Sequence, residues 1–194
     1  MSAQKNELVP TAGQTVGPFF HYGMPYELGE QVSPLHNPHT IVLSGYVTDG
    51  AGNPIPDCQL EIWQPNHEGS IPQIRGSLHR DQEHFTGFGR TATDDDGLYR
   101  FFTQNPGAVA DTTGNSAPFI SVIVFARGLL NKLHTRIYLP EDELALAADD
   151  LLKTLTVEER ASLIAQRTPE GNLRHDIRLQ GEQETIFLEF KDQS

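Results

Sequence analysis

From residue 40 onward the chain is written in short β runs separated by tight-turn signals, a pattern that confines it to a small all-β architecture. Residues 41–47 read IVLSGYV and run into DGAGNP at 49–54, a turn built from glycine, asparagine and proline. Residues 58–64, CQLEIWQ, alternate with period two and so put Cys58, Leu60 and Ile62 on one face of a strand. Residues 87–93 and 98–103 flank the acidic turn Asp94-Asp95-Asp96-Gly97 and read as a hairpin. Four more strands are expected at 119–125, 132–139, 173–179 and 185–190. About eight short strands at this spacing predict a β-sandwich of mixed and antiparallel strands.

A helical insertion at about 141–166 interrupts the strands. Residues 141–152 are rich in Ala and Leu, and Thr156 with Glu159 forms a capping box that opens a second helix through Ala165. The sandwich domain is thus expected over 40–194, preceded by a different kind of segment. Residues 1–39 lack periodicity and carry Pro10, Pro18, Pro25, Pro34 and Pro38, so they cannot bury much of themselves. Their aromatics, Phe19, Phe20, Tyr22 and Tyr26, favour an N-terminal arm laid on another chain's surface, because interfaces are rich in aromatic rings and disordered tails are poor in them.

Composition removes several function classes. At 194 residues the chain suits one domain plus an arm, and its net charge of −12 repels the phosphate of nucleic acid or anionic membranes. A lone cysteine, Cys58, excludes an internal disulfide and a cysteine-rich zinc site, and its place in a strand predicts a buried, inert thiol. The opening MSAQKNELVP lacks the apolar core of a signal peptide, and no apolar run approaches ~18 residues, so a cytoplasmic location is expected. The histidines His21, His36, His39, His67, His79, His84, His134 and His175 make no set with carboxylates or cysteine at metal-ligand spacing, and each is expected to be solvated or hydrogen-bonded. There is no Gly-x-Ser-x-Gly elbow and no glycine-rich phosphate loop.

Three stretches carry a resemblance: QTVGPFFHYG at 14–23, GYVTDGAGNPIPDCQLEIWQPNHEG at 45–69 and FGRTATDDDGLYRF at 88–101. The strand–DGxGxP–strand portion alone also occurs in transthyretin-like and carboxypeptidase-associated sandwiches without catalysis. In order and together, the segments resemble the intradiol ring-cleaving catechol dioxygenases, over roughly residues 14–190. Catalytic members of that family hold ferric iron with two tyrosines and two histidines. One tyrosine follows a Pro-Gly-Pro step, where this chain reads Pro106-Gly107-Ala108-Val109. The histidines form His-x-His after a proline, where this chain reads Pro118-Phe119-Ile120-Ser121, and residues 78–84 (LHRDQEH) lack the remaining tyrosine.

The resemblance therefore implies no metal ligand and no catalytic residue in this chain. It points instead to the non-catalytic alpha chains of the members that act on protocatechuate. Such a chain would pair with a beta subunit that carries the Fe(III). The complex would cleave 3,4-dihydroxybenzoate with O2 to 3-carboxy-cis,cis-muconate, a step of the beta-ketoadipate route of aromatic degradation. The implied substrate contacts are Thr15, Gly17 and Pro18, from an arm across the partner's active-site mouth, and Arg127 in Phe125-Ala126-Arg127-Gly128. The guanidinium fork of Arg127 suits the substrate carboxylate. The alternatives are a metal-free transthyretin-like binding or structural module and a self-sufficient dioxygenase with displaced ligands.

Overall fold

A computed structural model describes residues 23–73, 80–110 and 114–189. Among these residues nine strands lie in two sheets, in keeping with the sandwich the sequence predicts. The first sheet is built on β1 (Ile41–Thr48), which pairs antiparallel with β4 (Leu98–Thr103) and parallel with the short β8 (Leu173–Arg174) and β9 (Ile177–Arg178); β7 (Gln166–Arg167) extends it beyond β8. The second sheet runs β3 (Phe88–Ala92), β2 (Gln59–Trp63), β5 (Phe119–Phe125), β6 (Leu133–Tyr138), all antiparallel. Cys58, Leu60 and Ile62 do share the core face, against Ile120, Val122 and Val124 of β5 and Leu43, Val47 and Phe101 of the opposite sheet. Burial pushes the Cys58 thiol far up its scale, so it stays protonated and inert.

Four local expectations need correction. The acidic turn at 94–97 is tight, with Gly97 N donating to Asp94 O at 2.9 Å and Gly97 at φ +77°, but it does not close a hairpin. Its flanking strands belong to different sheets, because Thr93 is bonded to Cys58 through both its backbone and its hydroxyl and so holds β3 to β2. Residues 173–179 form two short strands, because Asp176 turns its carboxylate onto the backbone N of Tyr46 (3.0 Å) where a carbonyl would continue the ladder. Gly45 faces this break, and a Cβ there would collide with the His175 carbonyl. Residues 185–189 are not a strand. Thr185 bonds to Arg178 of one sheet while Ile186 and Leu188 bond to β6 of the other, so the segment laces the sandwich edge.

The insertion is less helical than its Ala and Leu content suggests. It contains α1 (Glu143–Ala148), a 3-10 turn (Leu152–Thr154) and α2 (Val157–Ala161), whose Thr156/Glu159 capping box has both bonds in place. Asp149 stops the first helix by accepting the backbone N–H groups of Leu151 and Leu152, each at 2.9 Å. Around it Ala117, Tyr138, Leu152 and Leu163 make a second small core. At the other end of the described chain, Val32 is fully buried and exchanges backbone bonds with Phe102 and Thr86, which roots the segment before β1 in the sandwich.

Candidate functional site

Strand β5 is the spine of everything chemically distinctive, and its two ends differ. At its start Phe119 and Ser121 pair with Tyr138 and Arg136 of β6, and Ser121 pairs with Trp63 of β2. Side chains at paired positions lie on one face, so Trp63, Phe119 and Ser121 share the outer face of the second sheet. Beside them Trp63, Pro65, Ile71, Val109, Pro118 and Phe119 line a cavity of about 260 Å³.

Of the positions at which the catalytic pattern has iron ligands, Val109 and Phe119 put hydrocarbon into the wall of this cavity. Val109 and Phe119 offer no donor atom, and Ser121 offers a neutral hydroxyl, so these residues do not fit ferric iron, which wants anionic oxygen and imidazole nitrogen. Among the described residues no group of three or more His, Cys, Asp and Glu could hold a metal ion. The polar side chains of Gln64 and Ser116 at the cavity are bonded to protein groups. Gln64 donates to Pro65 O (3.1 Å) and Gln104 O (2.8 Å) and accepts from Thr103 Oγ1 (2.7 Å). Ser116 Oγ donates to Ala117 O at 3.2 Å.

The nearest imidazole system is self-contained. His67 stacks on His39 with ring centroids 3.8 Å apart, and its Nδ1 shares a 2.9 Å bond with Gln104 Oε1. In the described part of 78–84, Arg80 is bonded to the Tyr26 hydroxyl and to Phe88 O, both at 2.6 Å. One histidine departs from expectation: His175 is buried, and its Nε2 has no hydrogen-bond partner among the described residues. Burial pushes its pKa down to about 4, against a smaller upward pull from Asp176.

Past the far end of β5, Ala126 is buried and Arg127 turns outward. Its Nε donates to both carboxylate oxygens of Asp57, at 2.7 and 2.9 Å. The Arg127 side chain is 57% exposed whereas that of Asp57 is 4% exposed. The hydrogen bond and charge of Asp57 hold the guanidinium above its usual pKa, so it is a permanent cation. Six strand steps separate Phe119 from Phe125, roughly 20 Å at strand spacing, so Arg127 lies well away from the cavity at the start of β5. Thr15, Gly17 and Pro18 lie outside the described residues.

Sequence reasoning missed Asp57, although the register contains it. Gln59 pairs with Phe125 in the β2–β5 ladder, and continuing that antiparallel ladder by two residues brings 57 opposite 127. It also missed the cavity, whose walls come from β2, β5 and two loops.

A family profile described as Dioxygenase matches residues 17–181. The protocatechuate 3,4-dioxygenase alpha chain of Burkholderia cepacia is 36% identical over 198 residues, covering 94% of this chain and 98% of that one. The beta chain of the same organism's enzyme is 32% identical over 162 residues, 75% of this chain and 66% of that one. Among solved structures, the dioxygenase domain of a carbohydrate-binding fusion from Streptomyces sp. SirexAA-E shares the fold, with a TM-score of 0.54 at 22% identity over 88% of this chain and 96% of that one. The chain belongs to the intradiol ring-cleaving dioxygenases, a family of ferric enzymes, and its full-length likeness is to an alpha chain.

Proposed function

We propose that this chain is the alpha subunit of a cytoplasmic protocatechuate 3,4-dioxygenase, in which a beta subunit holds the Fe(III) and this chain completes the substrate pocket. The observation that carries the reading is full-length likeness to an alpha chain combined with a donor-free wall at Val109 and Phe119. The complex cleaves 3,4-dihydroxybenzoate with O2 to 3-carboxy-cis,cis-muconate.

In this reading the chain's own work is positioning. Asp57 occupies the Nε edge of Arg127 and fixes the guanidinium at one edge, while the side chain as a whole remains more than half exposed. A planar fork held in this way can take a benzoate carboxylate with two parallel bonds. Thr15, Gly17 and Pro18, from the arm within residues 1–39, line the same pocket. Glycine there allows close backbone approach, and proline sets the chain direction. Holding the ring in place contributes to rate without any reacting group.

The test is Arg127→Ala in the assembled complex. Losing a charged hydrogen bond to the substrate carboxylate should lower kcat/KM for protocatechuate by about tenfold to a hundredfold, mainly through KM, with iron content unchanged. Catechol, which lacks the carboxylate, should hardly respond, and Arg127→Lys should recover part of the loss. Equal damage to both substrates, or to neither, would make Arg127 a structural counterion for Asp57 and nothing more.

A further inference from the structure

We infer that the cavity at the start of β5 is a binding site for a small, uncharged, single-ring aromatic molecule that carries no carboxylate. Its size suits the guest: the cavity measures about 260 Å³, and an apolar cavity of about 150 Å³ is already enough to take up benzene. Its chemistry suits the guest as well. The described lining residues include no charged side chain, and the polar atoms of Gln64 and Ser116 are engaged with protein partners. A carboxylate entering here would shed its water and meet no charged side chain among the described lining residues, Arg136 lying behind the Phe119 ring and bonded to the Tyr138 hydroxyl, whereas a hydrocarbon ring loses nothing by leaving water.

Two aromatic side chains give the site shape. Trp63 is 44% exposed at the rim and tilted 44° against Phe88, with ring centroids 4.7 Å apart. Phe119 is backed by the Arg136 guanidinium, 4.0 Å from its ring centroid, and by Tyr138 at 5.8 Å. With Phe119 held from behind, Trp63 and Phe119 can meet a planar guest in the offset or edge-to-face contacts that ring quadrupoles favour. Val109 and Ile71 supply the aliphatic wall. The inference uses the cavity alone, so it stands or falls independently of the role given to Arg127.

Trp63 is the chain's only tryptophan, which makes its fluorescence a reporter inside the site. Fluorobenzene titrated into the full-length chain should change Trp63 emission with a saturable midpoint, and benzoate should do so only at about tenfold higher concentration or more. Val109→Phe places a ring in the cavity and should raise the fluorobenzene midpoint by about tenfold or more, with circular dichroism reporting the fold. Should that variant misfold, an iodobenzene soak of wild-type crystals decides the matter, with the iodine expected between Trp63, Val109 and Phe119. Any of four results would overturn the inference. They are a non-saturating response, benzoate binding as well as fluorobenzene, iodine located elsewhere, and loss of the response when the beta partner is added, which would mean that protein fills the cavity.

Discussion

The two ends of β5 are one strand under opposite rules. At the start, Val109 and Phe119 put hydrocarbon where the family pattern has metal donors, and the neighbouring polar side chains of Gln64 and Ser116 are bonded to protein partners. At the end, a cation is held half in water by a carboxylate that is itself almost fully buried. Losing ligands at the start required neighbours to close over the gap, since an orphaned buried donor or acceptor costs more than a missing bond. Keeping a charge at the end required a counterion, since a buried carboxylate without one is strongly unfavourable. The start is therefore integral to the stability of the fold, and the end presents a charge to whatever docks there.

The largest predicted effect tests the first half of that contrast. Asp149 ties the insertion to the cavity wall, accepting Ala117 N from one oxygen and Leu151 N and Leu152 N from the other, all at 2.9 Å. Asp149→Ala strands three backbone donors, two of them on buried residues, so stability should drop by about 3–5 kcal/mol, or roughly 10 °C in Tm for a chain of this size. Asp149→Asn keeps an acceptor and should lose about half as much. Calorimetry of both variants checks it. A change near zero would mean that the start of β5 does not depend on the insertion, and the contrast between the ends would collapse.

How far this could be read in advance also differs between the two ends. The emptied ligand set was legible at once, because Val109 and Phe119 are chemical identities and need no geometry. Arg127 was legible as a candidate, yet its counterion was not sought, because pairing Asp57 with it requires the register between β2 and β5. The core face of β2 followed from alternation alone. The false hairpin at 94–97 shows the limit of local patterns: a tight turn between two extended runs says nothing about which neighbour each run will pair with. That was decided by Thr93 reaching Cys58, a contact between residues 35 apart. The shortened helices show the same limit, since Asp149 spends its carboxylate on capping and on a loop that sequence spacing does not reveal.

A second prediction supplies a control, since a loosening of the whole sandwich must reach both ends together. His175 sits in the first sheet, where its carbonyl accepts the Tyr99 hydroxyl at 2.6 Å and its N donates to Ser44 O. Its folded pKa of about 4 lies below the ordinary 6.5, so between those values the unfolded chain binds a proton that the folded chain refuses. Stability is then full above pH 6.5 and is lost as pH falls toward 4, by up to about 3 kcal/mol for a shift of that size. His175→Gln has no such proton and should lack this part of the acid slope. Urea unfolding at pH 7, 5.5 and 4.5, followed by Trp63 emission and by far-UV circular dichroism, checks it. The wild type should lose more than the variant, with both signals falling together. If Trp63 responded to acid while the backbone signal held, the start of β5 would be a separately melting unit.

The smallest expected effect sharpens the second half of the contrast by setting two arginine–aspartate pairs side by side. Arg174 reaches Asp176 at 3.0 Å, a distance close to that between Arg127 and Asp57, and it also lies 5.3 Å from the Tyr46 ring centroid. The surroundings differ: both partners of the Arg174 pair are about half exposed, at 50% and 51%, whereas Asp57 is 4% exposed. Water replaces an exposed partner almost without loss, and salt screens what attraction is left. Arg174→Ala should therefore change stability by less than about 1 kcal/mol, and the difference should shrink in high salt. Arg127→Ala should cost the isolated chain more than Arg174→Ala, and the excess should persist in high salt, because Asp57 cannot turn to water once its cation is gone. Matched thermal melts of the two variants at low and high ionic strength measure this. Equal, salt-sensitive losses would show that Asp57 reaches solvent when unpaired. The Arg127 pair would then be an ordinary surface pair, and burial of its carboxylate would no longer account for how the guanidinium is held.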